Sequence, residues 1–140
     1  MRSGDSSFVT PVRVPQVGPF ELPRRLNEIC ERLLRMLIRL SPDAETLRAA
    51  ELRSIKGLKP AAIGKREHAD CLIIETCLAL CKALRSHGFP ERCVFVSSNE
   101  ADFYGDGTPL RPHEDLAAEC SALDLRFAFA FDHALSIIHT

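Results

Sequence analysis

At 140 residues, 46% hydrophobic and 26% charged, the chain is sized for one domain with an ordinary core, which excludes an intrinsically disordered protein. No run approaches the roughly 18 consecutive apolar residues of a membrane span, and the opening MRSGDSSFVTPVRVPQVGPF lacks the apolar core of a secretory signal, so the expected compartment is cytoplasmic. The net charge of −1 conceals an uneven distribution: Lys and Arg exceed Asp and Glu by 13 to 8 up to Ala69, and from Asp70 onward they are outnumbered 5 to 11. This division describes either two solvated surfaces or a basic grip beside an acidic centre, and the second suits a polyanion held near a divalent cation.

Residues 1–19 carry Gly4, Pro11, Pro15, Gly18 and Pro19 with no sustained period and read as an extended arm, leaving 20–140 as the domain. Pro23 suits the first turn of a helix running to about Leu40. Its apolar positions Leu26, Ile29, Cys30, Leu33, Leu34, Leu37 and Ile38 make a stripe expected to face a core, because Glu28 and Glu31 interrupt the basic face that a membrane-surface helix would present. After Ser41-Pro42-Asp43 a second helix is expected over Ala44 to Lys56, ended by Gly57. From Arg53 to Arg66 there are five cations, Arg53, Lys56, Lys59, Lys65 and Arg66, and no acid. They either keep a connecting loop soluble or grip phosphate.

The stretch from Asp70 to Phe103 organises the rest. Ile73, Ile74, Cys77, Leu80, Cys81 and Leu84 recur as one face of a helix, with Asp70 at the head of that face. Gly88 is expected to close the helix and Pro90 to keep it from restarting. Cys93-Val94-Phe95-Val96 reads as a strand covered on both faces in a parallel sheet. The polar turn behind it, with Ser97, Ser98, Asn99, Glu100 and Asp102, lies where ligands sit in open α/β sheets. Tyr104 to Pro109 is a tight turn, Glu114 to Leu123 a helix, Leu125 to Phe131 a second strand, and Asp132 the cap of a short last helix. Helix, strand, helix, strand, helix is a βαβ-type order. The six cysteines, at 30, 71, 77, 81, 93 and 120, form no Cys-x-x-Cys pair and read as small core hydrophobes rather than zinc ligands or a disulfide framework.

A carboxylate heading an apolar helix face and others following a neighbouring strand can converge on one point. Packed together they repel unless a cation lies between them, and Mg²⁺ or Mn²⁺ is the natural occupant of an all-oxygen site. The plainer alternative leaves Asp70 as a helix cap and Asn99, Glu100 and Asp102 as turn residues.

The order Asp70-Cys-Leu-Ile-Ile-Glu75, a helix, Val94-Phe95-Val96-Ser97-Ser98-Asn99-x-x-Asp102-Phe103 and then Leu110-Arg-Pro resembles the C-terminal half of a PIN-like domain, in a branch of unknown function. The resemblance covers about residues 49–138, and Arg53, Pro60 and Lys65 fall in that branch's basic lead-in. It implies a three-layer α/β/α, Rossmann-like fold with a parallel sheet, and a Mg²⁺- or Mn²⁺-dependent ribonuclease of the kind that includes toxins of bacterial toxin–antitoxin pairs. By position it makes Asp70, Asn99 and Asp102 the metal and catalytic residues, with Glu75, Ser97 and Glu100 in support and Arg53, Lys65 and Arg66 on RNA phosphates. PIN-like domains open with an apolar strand ending in aspartate, and residues 1–20 hold no such strand. The expectation is therefore a truncated member lacking its first strand and one ligand. The alternative is a non-catalytic remnant that binds RNA, an antitoxin-like protein or further copies of itself. An unrelated Rossmann-like nucleotide binder is a weaker third reading, since no glycine-rich phosphate loop is present.

Overall fold

Helices in this chain start where proline, aspartate or an acidic first turn allows, and glycine closes α2 and follows the end of α3. The computed structural model describes residues 21–62, 67–106 and 111–139, so the arm at 1–19, the Lys65-Arg66 pair and Leu110 lie outside the described residues. The chain is mixed α/β, with six helices and one parallel two-stranded sheet among the described residues, and it divides into two compact units, Met1–Arg39 and Leu40–Thr140.

The first unit holds α1 (Glu21–Met36), with Pro23 in its first turn as expected. Glu21–Arg25 and Glu31–Arg35 pair one turn apart at 3.0 and 3.2 Å, and Arg24 approaches Glu28 at 3.7 Å. The predicted apolar stripe is present, but no residue of α1 is buried. The expected core-facing stripe therefore finds no burial within its own unit.

The second unit begins with α2 (Ala44–Lys56), whose bounds match the sequence reading. The Asp43 carboxylate accepts a 2.7 Å hydrogen bond from the Thr46 N–H, and this bond holds its pKa below the usual value. Gly57 takes a left-handed φ of 64° and donates its N–H to the Arg53 and Ser54 carbonyls. Helix α3 (His68–Ser86) follows and packs against α2, with Ala50, Ala61 and Cys71 buried at the contact. Gly88, at φ 76°, lies just beyond it.

The buried line of α3 is Cys71, Ile74, Leu78 and Cys81, rotated from the expected one. Ile73 is 52% exposed and Leu80 is also exposed. Apolar residues occur almost all round this helix, so spacing alone left its phase undetermined.

Strand β1 (Cys93–Val96) has the predicted bounds. It leads through a short α4 (Glu100–Phe103), not anticipated, and α5 (Glu114–Ala122) to β2 (Leu125–Ala128). The pairing is parallel with Phe95 beside Phe127. Because side chains alternate along a strand, Cys93, Phe95, Leu125 and Phe127 share one face. There Phe95 meets Phe103 and Phe127 at centroid distances of 5.1 and 5.0 Å, and Tyr104 stands edge-on to Phe127. Ile74, Leu78 and Cys81 from α3 and Leu116 and Cys120 from α5 complete the core.

Strand β2 stops at Ala128, short of the predicted Phe131, and α6 (Phe131–Ile138) packs against both strands. Ala130, not Asp132, occupies the cap position. Asp132 lies inside the first turn, where its charge complements the helix dipole without supplying a cap hydrogen bond.

Candidate metal centre

Three short pieces of chain bring carboxylates together. Glu67 occupies the residue before α3, Asp70 lies in the first turn of that helix, and Asp102 is on α4 behind β1. One ligand oxygen from each lies within 4.8 Å of the others, and all three residues are half-buried. Asp70 and Asp102 are the pair the sequence selected. Glu67 was missed because it stands outside the periodic stretch, and only the start of α3, where the Cys71 N–H returns to the Glu67 carbonyl, places it there.

Asn99 holds Asp102 in place. Its Nδ2 donates to Asp102 Oδ2 at 2.6 Å, and its own N–H donates to Ser97 Oγ at 3.2 Å. Tyr104 leans over the same turn, its hydroxyl 3.5 Å from the Ser97 carbonyl, and burial, with the neighbouring Glu100 charge, raises its pKa. Glu100 itself is exposed. Lys59 Nζ donates to the Ala101 carbonyl at 3.0 Å, which sets a cation one residue from Asp102.

Arg53 and Glu75 belong to a different site. Arg53 is 5% exposed, with Nε 2.5 Å from Glu75, Nη2 2.6 Å from Glu119 and Nη1 donating to the Lys59 carbonyl at 3.0 Å. Burial alone would lower the pKa of this guanidinium, but the hydrogen bonds and charges of Glu119 and Glu75 outweigh it and hold it above the ordinary value. The guanidinium ties α2 to α3 and α5, and is not on a surface that would meet an RNA phosphate. Glu75 is correspondingly its partner and not a support of the carboxylate cluster. The signal was present in the sequence, since Arg53 falls on the same face of α2 as Thr46 and Ala50, where an unpaired charge would be costly.

The donor set fits a hard cation. Three oxygen ligands with an amide beside them suit Mg²⁺ or Mn²⁺ and not zinc, which favours nitrogen and sulfur. No helix among the described residues is long and apolar enough to cross a membrane. Compared with known proteins, the chain matches no family model, and it has no significant match among curated proteins or among solved structures.

Proposed function

We propose that the chain is a PIN-like, Mg²⁺- or Mn²⁺-dependent ribonuclease domain working in the cytoplasm, with a three-layer α/β/α arrangement. The observation that carries this reading is the convergence of Glu67, Asp70 and Asp102 behind the carboxyl end of β1, where two of the three acids were selected by sequence order alone. In it, Asp70 and Asp102 hold the cation, Glu67 completes the carboxylate set, and Asn99 fixes the rotamer of Asp102 through its amide. A bound divalent ion in such a site supplies an activated water and neutralises charge on a phosphodiester. Lys65 and Arg66 hold the RNA backbone, a role that Arg53 leaves to them.

A second reading, a non-catalytic protein-binding module, is favoured by α1. Leu22, Leu26, Ile29, Leu33 and Met36 recur alternately four and three residues apart and are all exposed. The two readings separate in one experiment. With single-stranded RNA and Mn²⁺, the ribonuclease reading expects cleavage that EDTA removes and that Asp70→Asn abolishes while the circular dichroism spectrum stays unchanged. Cleavage surviving in Asp70→Asn would take Asp70 out of the mechanism. Absence of both cleavage and a Mn²⁺-induced thermal shift would leave the binding module.

A further inference from the structure

Away from the carboxylate cluster, a cavity of about 680 Å³ lies at β2. Leu125 and Phe127 from one face of β2 and Arg126 from the other all line it, so it runs along the edge of β2 that is unpaired among the described residues. Residues of α5 and α6 form its sides. The cavity lies within the size range of small-ligand sites.

Its charge runs against its surroundings. From Asp70 to the end the chain has only five cations, and three of them, Arg92, Arg111 and Arg126, line this one cavity, with Asp124 as the single acid. None of the three is used up. Arg92 spends one donor on the Ile137 carbonyl at 2.9 Å, and Arg126 gives its Nε to Asp124 at 3.0 Å, leaving both terminal nitrogens. The Arg111 guanidinium has no hydrogen-bond partner among the described residues. Three like charges beside a wall of Leu125, Phe127 and Ile137, with most of their donors unspent, make a positive patch suited to an anion.

The second observation is His133. Its ring packs against Phe129, tilted by 38° with centroids 4.7 Å apart, and lines the cavity, and its Nδ1 is shut off from solvent with no hydrogen-bond partner among the described residues. Solvent cannot reach Nδ1, so the atom the ring offers to a ligand in the cavity is its other nitrogen, Nε2, which makes no hydrogen bond among the described residues.

We propose that this cavity binds a nucleoside monophosphate, independently of the carboxylate site and of any divalent metal. The guanidinium groups match the phosphate, for which arginine offers paired donors in a planar fork. The volume is well beyond what a phosphate alone occupies, and beside the arginines the wall has an apolar stretch of Leu125, Phe127 and Ile137 with His133 and Ser121 as polar groups. A flat heteroaromatic base fits such a wall and stacks on arginine planes.

The test is calorimetric titration of the full chain in EDTA with 5′-AMP, adenosine and inorganic phosphate. Binding of AMP at least tenfold tighter than either fragment, weakened by raising NaCl from 50 to 500 mM, is the expected result. Arg111→Glu combined with Arg126→Glu should reduce it at least tenfold with the ligand-free melting temperature unchanged, since both side chains are exposed. His133→Gln should weaken it less. No binding of AMP, or binding no tighter than that of inorganic phosphate, would overturn the proposal on the unaltered protein. Loss of AMP binding in Asp70→Asn would overturn it too, by assigning the nucleotide to the carboxylate site. The cavity and the ribonuclease reading therefore stand or fall separately.

Discussion

Helices α1 and α3 carry the same kind of apolar periodicity and reach opposite ends. α3 buries Cys71, Ile74, Leu78 and Cys81 against α2, β1, β2 and α5, whereas α1, with a cleaner stripe, buries none. Their charges differ in the same way. The ion pairs of α1 are exposed and one turn apart, the kind that contributes about 0.3–0.5 kcal/mol each, while Glu75 of α3 meets Arg53 across 22 residues of sequence with the Arg53 side chain only 4% exposed. Periodicity defines a face, and burial requires a second surface, which comes from distant chain. In α3 that surface is supplied by α2 before it and by the strands and α5 after it; α1 buries no residue.

Charge is the sharpest way to break this comparison. Arg53→Met removes the cation from between Glu75 and Glu119 and leaves Glu75 largely buried without compensation, an effect of about 3–5 kcal/mol. Arg35→Met on α1 should cost less than about 1 kcal/mol, because its pair is solvated. Adding Glu75→Gln to Arg53→Met should recover part of the loss, since the stranded charge goes with it. Urea unfolding of the four proteins measures all three statements. Equal effects at positions 53 and 35 would mean that the buried pair does not hold the second unit together.

Packing gives the next largest contrast. Ile74 is fully buried, and Ile74→Ala should destabilise by about 2–5 kcal/mol through lost burial and a cavity beside Phe95 and Leu116. Ile29→Ala on α1, where the side chain is 53% exposed, should stay within about 0.5 kcal/mol of the parent in unfolding free energy from urea titration. A large loss at Ile29 would show that the α1 face is covered in solution.

Much of this fold was legible where local rules decide alone. Asp43, Gly57, Gly88 and the run Cys93–Val96 each carry their own stereochemical reason, and α2, the end of α3 and β1 came out close to their expected bounds. What was not legible depended on approach in three dimensions. The phase of α3 was ambiguous because Leu72, Ile73 and Leu80 are as apolar as Ile74 and Leu78, and only packing against β1 and α5 chose between them. The candidate site divides along the same line. Asp70 and Asp102 were found because one heads a helix and the other follows a strand, whereas Glu67 enters through the turn before α3 and has no periodic signature. Arg53 looked like part of a basic loop, but it lies on the buried side of α2, 66 residues from Glu119 in sequence.

The smallest effect leaves stability untouched and reads the comparison atom by atom. Cys30 is on the exposed face of α1, whereas Cys81 and Cys120 are buried in the core. Burial first, then neighbouring charges, pushes the thiols of Cys81 and Cys120 up to about 12, and burial pushes Cys77 up to about 11. At pH 8 a thiol with a pKa near 12 is ionised in only about one molecule in ten thousand, and the thiolate is the reacting form. Timed alkylation at pH 8 followed by peptide mass mapping should therefore label Cys30 first, and label Cys81 and Cys120 only at the rate of unfolding. Rapid labelling of Cys81 in the folded protein would mean that α3 opens locally away from the sheet. Slow labelling of Cys30 would mean that the apolar face of α1 has found a cover, and the two helices would then be alike after all.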